Sequence, residues 1–327
     1  MPRDSRYLDP LELIWTQTAL QLGMVVTRSD EVYASWDGAR TLTLSSPEGF
    51  DPDDCLAQMI FHEICHALVE GPASLRKIDW GLINTDDRDV VREQACHRVQ
   101  AALADRHGLR EFMGPTTDFR PYYDALPAHP LLPGPDPAIE PAREAWLRGT
   151  RGPWAPLIEA ALAATAAIAR AARPFAPPDS LFARTREPHP LGFPPGDPAK
   201  RCGDCAWRHD EPEPRCRQAG AALDPDWPAC SRFEDPGLDC LSCGACCREA
   251  FHQVPVEDDS PLWTEHPDWI ARDEYGPHLP RPQGRCVALR GPPFLCAAYA
   301  ARPISCRDFE IAGENCLIAR RRVGLSP

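Results

Sequence analysis

The spacing of apolar positions changes several times along the chain. Residues 9–22, DPLELIWTQTALQL, set apolar side chains at helical spacing behind an Asp-Pro start, which predicts a helix. EVYASW and RTLTLSS are rich in β-forming residues and flank Asp37-Gly38, which predicts two strands joined by a tight hairpin. Acidic residues open DPDDCLAQMIFHEICHALVEG and Gly71 closes it, so a helix is expected over about 52–70. DDRDVVREQACHRVQAALAD predicts another over about 86–105. The expected order is helix, hairpin, helix, helix.

Beyond residue 126 this regularity breaks. EPAREAWLRG and APLIEAALAATAAIARAA read as helices set between Pro-rich connectors. The second of these, at about 155–172, is expected to pack on the first domain, because Arg170 interrupts its alanine run and leaves it too short for a bilayer. Residues 174–200 contain eight prolines and read as a linker. Cysteine dominates from 202 onward. Four segments result: 1–126, a connector over 127–200, a four-cysteine segment over 201–236, and a cysteine-cluster domain over 237–327. The expected fold class is α+β, helices with a short sheet followed by irregular, metal-stapled modules.

Charge and cysteine usage narrow the chemistry. A formal charge of −13 opposes nonspecific nucleic-acid binding, since phosphates repel such a surface, and the run Arg320 to Arg322 is too short to reverse that. No stretch of about 18 apolar residues predicts a membrane span. The start, MPRDSRYLDP, lacks an apolar signal core, so a cytoplasmic location is expected. In a reducing compartment, fifteen cysteines in short-spaced groups point to metal or redox chemistry rather than disulfides.

His62-Glu63-Ile64-Cys65-His66 is an HExxH motif. On a helix, His62 and His66 project on one side and can bind one ion, while Ala57, Phe61, Ile64 and Leu68 fall opposite and can be buried. The expected division is one face packed and one open. Glu63 beside the pair could take a proton from a zinc-activated water. The motif resembles the HExxH zinc peptidases, in particular gluzincin-like ImmA/IrrE-type members, over roughly residues 8–110 through HEICHALVEG and REQACHRVQAALA. That resemblance implies a zincin-like fold for 1–126, a third ligand at Glu93 on the following helix, and a peptide or protein substrate. His97, one turn further, is the rival ligand. Cys65, Cys55 and Cys96 read as small buried residues, although Cys65 could approach the metal. Tyr122 or Tyr123 could steady an oxyanion, but nothing in the sequence places either there.

Cys202, Cys205, Cys216 and Cys230 have the C-x2-C-x10-C-x13-C spacing of one tetrahedral site, for which zinc is the first choice and iron the alternative. CLSCGACC then supplies Cys240, Cys243, Cys246 and Cys247, followed by Cys286, Cys296, Cys306 and Cys316. Eight thiols exceed one mononuclear site, so two ions or one polynuclear, iron–sulfur-type cluster remain open. With CAAYAARPISCRDF they resemble the CxxCxxCC (YkgJ-type) family from about 238 to 320, which implies zinc or iron chelation. Arg302 and Arg307 are expected to offset thiolate charge, Tyr299 and Phe309 to support packing, and His252 is a further ligand candidate. The functional expectation is a zinc-dependent peptidase-like domain with a metal-chelating tail. The alternatives are a noncatalytic metal-handling or iron–sulfur electron-transfer protein, and an iron-cluster-dependent modifying enzyme.

Overall fold

Asp9 caps the first helix, its Oδ1 accepting the amides of Leu11 at 2.9 Å and Glu12 at 3.1 Å, so α1 runs Pro10–Gln21. The computed structural model describes residues 7–83, 87–114, 119–248 and 253–326. It divides into two compact units, 1–195 and 196–327. Helices and small sheets occur in both, an α+β composition.

In the first unit, β1 (Val25–Ser29), β2 (Ala34–Trp36) and β3 (Thr41–Ser45) form one sheet of order β1-β3-β2. The expected hairpin is β2–β3, antiparallel, and Asp37 builds its turn by accepting the amides of Ala39, Arg40 and Thr41 at 2.7–2.9 Å. Strand β1 escaped the sequence reading. It pairs parallel to β3, and a parallel partner sixteen residues away leaves no turn signal between them. Leu42 and Leu44 of β3 are fully buried.

The remaining elements of this unit are α2 (Leu56–Glu70), α3 (Val90–Asp105), α4 (Arg120–Asp124), α5 (Ile139–Arg151) and α6 (Ala155–Ala172). Helix α2 starts later than expected because Asp51 to Asp54 close a turn of their own, with the Asp54 amide on the Asp51 carbonyl at 2.9 Å. The Gln58 carboxamide then accepts the Cys55 amide at 2.6 Å, and Gly71, at φ 78°, ends the helix. The expected open face of α2 is not found. Thirteen of its fifteen residues are buried, because α1 and α5 cover one side and α3 covers the histidine side.

Helix α6 packs on the first domain as expected, through Ile158, Leu162 and Ala169, and α5, from the stretch expected as a connector, joins the same core as Trp15, Phe61 and Ile64 through Ala142 and Ala145. Trp15 Nε1 donates to Thr165 Oγ1 at 2.9 Å, fixing α1 on α6. Contrary to the sequence reading, Ala155–Phe175 does have the length and mean hydropathy, 1.4, to cross a membrane by composition alone, since the helical run continues through Arg173–Phe175. One stripe of it is used for packing inside this unit, as a core helix does. The Pro-rich segment that follows is also pinned through residue 187. Arg186 N bonds to Gly108 O at 2.9 Å, and Phe182 packs on Phe112. Gly108 is at φ 68°, and a side chain there would meet the Arg186 carbonyl at 1.9 Å.

The second unit is built from short pieces. Strands β4 (Arg208–His209), β5 (Arg215–Cys216) and β6 (Ala221–Ala222) form one sheet. After α7 (Cys240–Cys243), strands β7 (Val254–Pro255), β8 (Ala271–Asp273) and β9 (Gly276–Leu279) form another of order β7-β9-β8, with α8 (Leu262–Glu265) between β7 and β8 in sequence. β10 (Leu289–Arg290) pairs with β11 (Leu295–Cys296), and α9 (Ile304–Arg307) and α10 (Glu314–Arg322) complete the unit. The two cysteine segments of the sequence share this unit. Trp207, fully buried, packs on Cys316 and Leu317, while Glu234 accepts from Trp207 Nε1 at 3.0 Å and pairs with Arg320.

Candidate metal centres

The α2–α3 contact creates the first centre. His62 Nε2 and His66 Nε2, one turn apart on α2, lie 3.0 Å from each other. Glu93 on α3 faces both, its Oε1 3.3 Å from His62 Nε2 and its Oε2 3.3 Å from His66 Nε2. A tetrahedral ion with bonds of about 2.0–2.1 Å holds its ligand atoms about 3.3 Å apart, so this donor set fits zinc. His97 stands beside the trio, with Nε2 3.4 Å from Glu93 Oε1 and its ring stacked on that of His62. The structure thus brings both candidate third ligands to one place, with Glu93 the one that spans the two histidines. Cys96 is also close, its Sγ 3.7 Å from His62 Nδ1. No polar contact ties Cys65 or Cys55 to these nitrogens among the described residues; Cys65 is fully buried on the same helix, and burial raises its thiol pKa far above the usual range.

The charges at this centre are strongly coupled. Burial disfavours a charged His62, but the hydrogen bond and charge of Glu93 outweigh it and lift the imidazole to about 9. Burial likewise opposes ionisation of Glu93, yet the facing imidazoles hold its carboxyl far below the ordinary range. His97 is buried, with the His62 charge nearby, and is pushed down to about 3, so it stays neutral.

Two residues that the sequence reading missed support this site. Gln100 Oε1 lies 2.9 Å from His62 Nδ1, and its Nε2 donates to Met113 O at 2.6 Å, a side-chain brace of the kind that fixes a ligating imidazole. Its spacing from Glu93, two turns along α3, was the available signal. Trp80 Nε1 donates to Glu63 Oε2 at 2.7 Å, in a buried pair. Trp80 stacks on Trp36 at 4.7 Å, and both Asp79 and Trp80 have positive φ, 47° and 59°. The Asp79 carboxylate secures that strained bend by accepting from Ser35 Oγ at 3.0 Å and the Trp36 amide at 2.9 Å. Neither tyrosine serves as an oxyanion donor. The Tyr123 hydroxyl donates to Arg110 O at 2.8 Å, and that of Tyr122 bonds Asp136 and Arg98.

In the second unit, Cys202, Cys205, Cys216 and Cys230 lie within electrostatic reach of one another. Burial first, and neighbouring thiols second, push Cys202 up to about 12 and Cys230 up to about 11. Protonated thiols crowded together are what a cation would discharge, since a metal binds the thiolate. Cys202 opens and Cys205 caps the 3-10 turn before β4, Cys216 ends β5, and Cys230 follows β6.

The other eight cysteines lie on α7, the turn Ala245–Cys247, β11, α9 and α10, with Cys286 just before β10. Cys246 Sγ and Cys247 Sγ are 3.9 Å apart. The Cys286 amide bonds to the Cys247 carbonyl at 2.9 Å. Cys240 is exposed, whereas Cys286 and Cys316 are buried. The cations at the sulfurs differ from those expected. Arg320 Nη1 lies 3.3 Å from Cys243 Sγ, and Arg281 Nη1 donates to Cys246 O at 3.1 Å. Arg302 lies over the Tyr299 ring and acts on Cys296 only at longer range. Arg307 has no polar contact with a sulfur among the described residues. Phe309 packs beside Trp207 and Cys316, as a supporting residue. His252 lies outside the described residues.

Residues 239–322 match the family profile CxxCxxCC, described as "Putative zinc- or iron-chelating domain". The chain is similar to "Uncharacterized protein YkgJ" of Escherichia coli O157:H7, 34% identical over 104 residues, covering 27% of this chain and 94% of that protein. It is also similar to "Putative ferredoxin" of Acinetobacter calcoaceticus, 36% identical over 99 residues, covering 27% of this chain and 77% of that protein. No solved structure matches the chain. The family match lies wholly within the second unit.

Proposed function

Because the chain belongs, through residues 239–322, to the CxxCxxCC family, we propose that it is a metal-binding protein in which a zinc- or iron-chelating tail accompanies a zinc peptidase-like unit. One observation carries the second half of this reading: His62, His66 and Glu93 converge from two helices at zinc-ligand spacing. Burying two histidines and a carboxylate together disfavours the fold unless they pair or hold an ion, and a charge-assisted trio at this spacing suits both. Zinc held there supplies Lewis acidity to a carbonyl oxygen or to water.

The chain's own residues then have separate tasks. His62 is oriented through Nδ1 by Gln100, and Glu93 joins α3 to α2. Glu63 is the proton acceptor: Trp80 holds its Oε2, which leaves Oε1 for the proton. The substrate class is a peptide or protein, as the HExxH resemblance implies, and the acidic chain disfavours nucleic acid.

A second reading concerns the tail. Eight clustered thiols suit iron–sulfur chemistry as well as zinc, and the name of the Acinetobacter relative points the same way. In that case the tail transfers electrons, and its protein is coloured.

Glu63→Gln should abolish hydrolysis of a quenched-fluorescent peptide library while zinc stays bound. The amide still accepts from Trp80 but cannot take the proton. Hydrolysis that survives the change rejects Glu63 as base. A wild-type protein that is zinc-loaded and cleaves none of the library rejects the peptidase reading and leaves metal binding untouched.

A further inference from the structure

The eight cysteines of 240–316 are not arranged around one point. We propose that they form two separate four-thiolate centres that meet at the Cys246–Cys247 pair: Cys240, Cys243, Cys246 and Cys316 in one, and Cys247, Cys286, Cys296 and Cys306 in the other. This assignment rests on the reading of the tail as metal-chelating.

The first set is organised by α7 and α10. Cys240 and Cys243 are three residues apart on α7, and Cys246 repeats that interval after the left-handed Gly244. Ala245 and Ala319 bury each other, with Cys243 and Cys246 packed against them, so α10 lies on this turn. Cys316 and Arg320 are four residues apart on α10 and therefore share a face. Arg320 reaches Cys243 Sγ at 3.3 Å, which shows that this face looks toward the first three cysteines. Consistently, Cys316 is within electrostatic reach of Cys240, Cys243 and Cys246.

The second set has a different scaffold. Cys247 is out of step with the three-residue interval, and, among the described residues, its Sγ touches the first set only through Cys246 Sγ at 3.9 Å. Its carbonyl holds the Cys286 amide, and the Cys286 carbonyl in turn holds the Leu289 amide at 3.0 Å. Leu289 pairs with Cys296 across β10 and β11. Cys247, Cys286 and Cys296 accordingly sit in one apolar cluster with Leu279 and Leu289, apart from the Ala245–Ala319 contact. Cys306 at α9 lies within reach of Cys286 and Cys296. Cys246 also falls within reach of Cys306, which places the boundary between the two centres at the vicinal pair.

The test uses the full chain, purified without oxygen, and two variants: Cys240→Ala, at an exposed position, and Cys296→Ala, at a half-buried one. Metal per chain is measured by elemental analysis. Alkylation with iodoacetamide, read by mass spectrometry, reports which thiols become free. Cys240→Ala should lose about half of the metal held by 240–316 and expose Cys243, Cys246 and Cys316, while the second set stays protected. Cys296→Ala should do the reverse. Loss of all this metal and exposure of all seven remaining thiols in both variants would show a single cluster and overturn the assignment. A wild-type protein whose tail thiols are all reactive and metal-free would instead reject the chelating reading itself.

Discussion

Glu93→Ala should lower zinc affinity at the α2–α3 site by a hundredfold or more while leaving the metal of the tail in place. The carboxylate faces both His62 and His66 at 3.3 Å, closer than Cys96, whose Sγ also lies within 4.8 Å of ligand atoms of both. Its loss removes a ligand and also the largest of the charges that lift His62, leaving only the more distant Glu63. The same coupling gives zinc binding a pH dependence. With His62 near 9, the free site carries a proton at neutral pH that zinc must expel, so affinity rises with pH and levels off above about 9. In Glu93→Ala that rise should end at lower pH, because His62 no longer has its carboxylate. Calorimetric zinc titration of the full chain between pH 6 and 9.5 measures both effects. Unchanged affinity would hand the third position to His97 or Cys96, each of which is already near His62.

Stripping the tail of its metal should unfold residues 196–327 and spare the first unit. Strands two to four residues long and helices of one or two turns cannot hold themselves together. The apolar cluster around Leu262, Leu279 and Leu289 is small and includes cysteines among its members. A structural zinc in a module of this kind contributes about 10–16 kcal/mol at neutral pH, more than such a core can supply. The first unit has Trp15, Phe61, Ile64 and Leu103 in one continuous core and does not depend on an ion to the same degree. Hydrogen exchange read by mass spectrometry, before and after a chelator, should show protection lost throughout the tail and kept in α2 and α3. Protection retained in the tail would mean that it folds without metal.

How far the sequence revealed this follows the range of the signals involved. Local ones were legible: Asp9-Pro10, Asp37-Gly38 and Gly71 each mark a boundary that the structure keeps. The His62–His66, Cys202–Cys205 and CLSCGACC spacings were legible too, because each lies within a turn or two. What was hidden depends on distant partners. Strand β1 needs β3 beside it, and Trp80 becomes a partner of Glu63 only through a strained bend. Gln100 was signalled only by its spacing of two turns from Glu93, and its bond to His62 needs α2 beside α3. The 127–200 stretch looked like connector because proline is frequent there; the packing of its second helix was legible, but that of α5, through Ala142 and Ala145, was not. Arg320 was read only as part of a short basic run, and α10 turns it toward Cys243.

Metal held at defined centres in both units is the proposal on which the rest depends. Counting zinc and iron per chain in protein purified without oxygen tests it most directly. One zinc is expected in the first unit, lost in His66→Ala, and metal at three cysteine centres in the second. A chain that retains less than one equivalent of metal after desalting would contradict it.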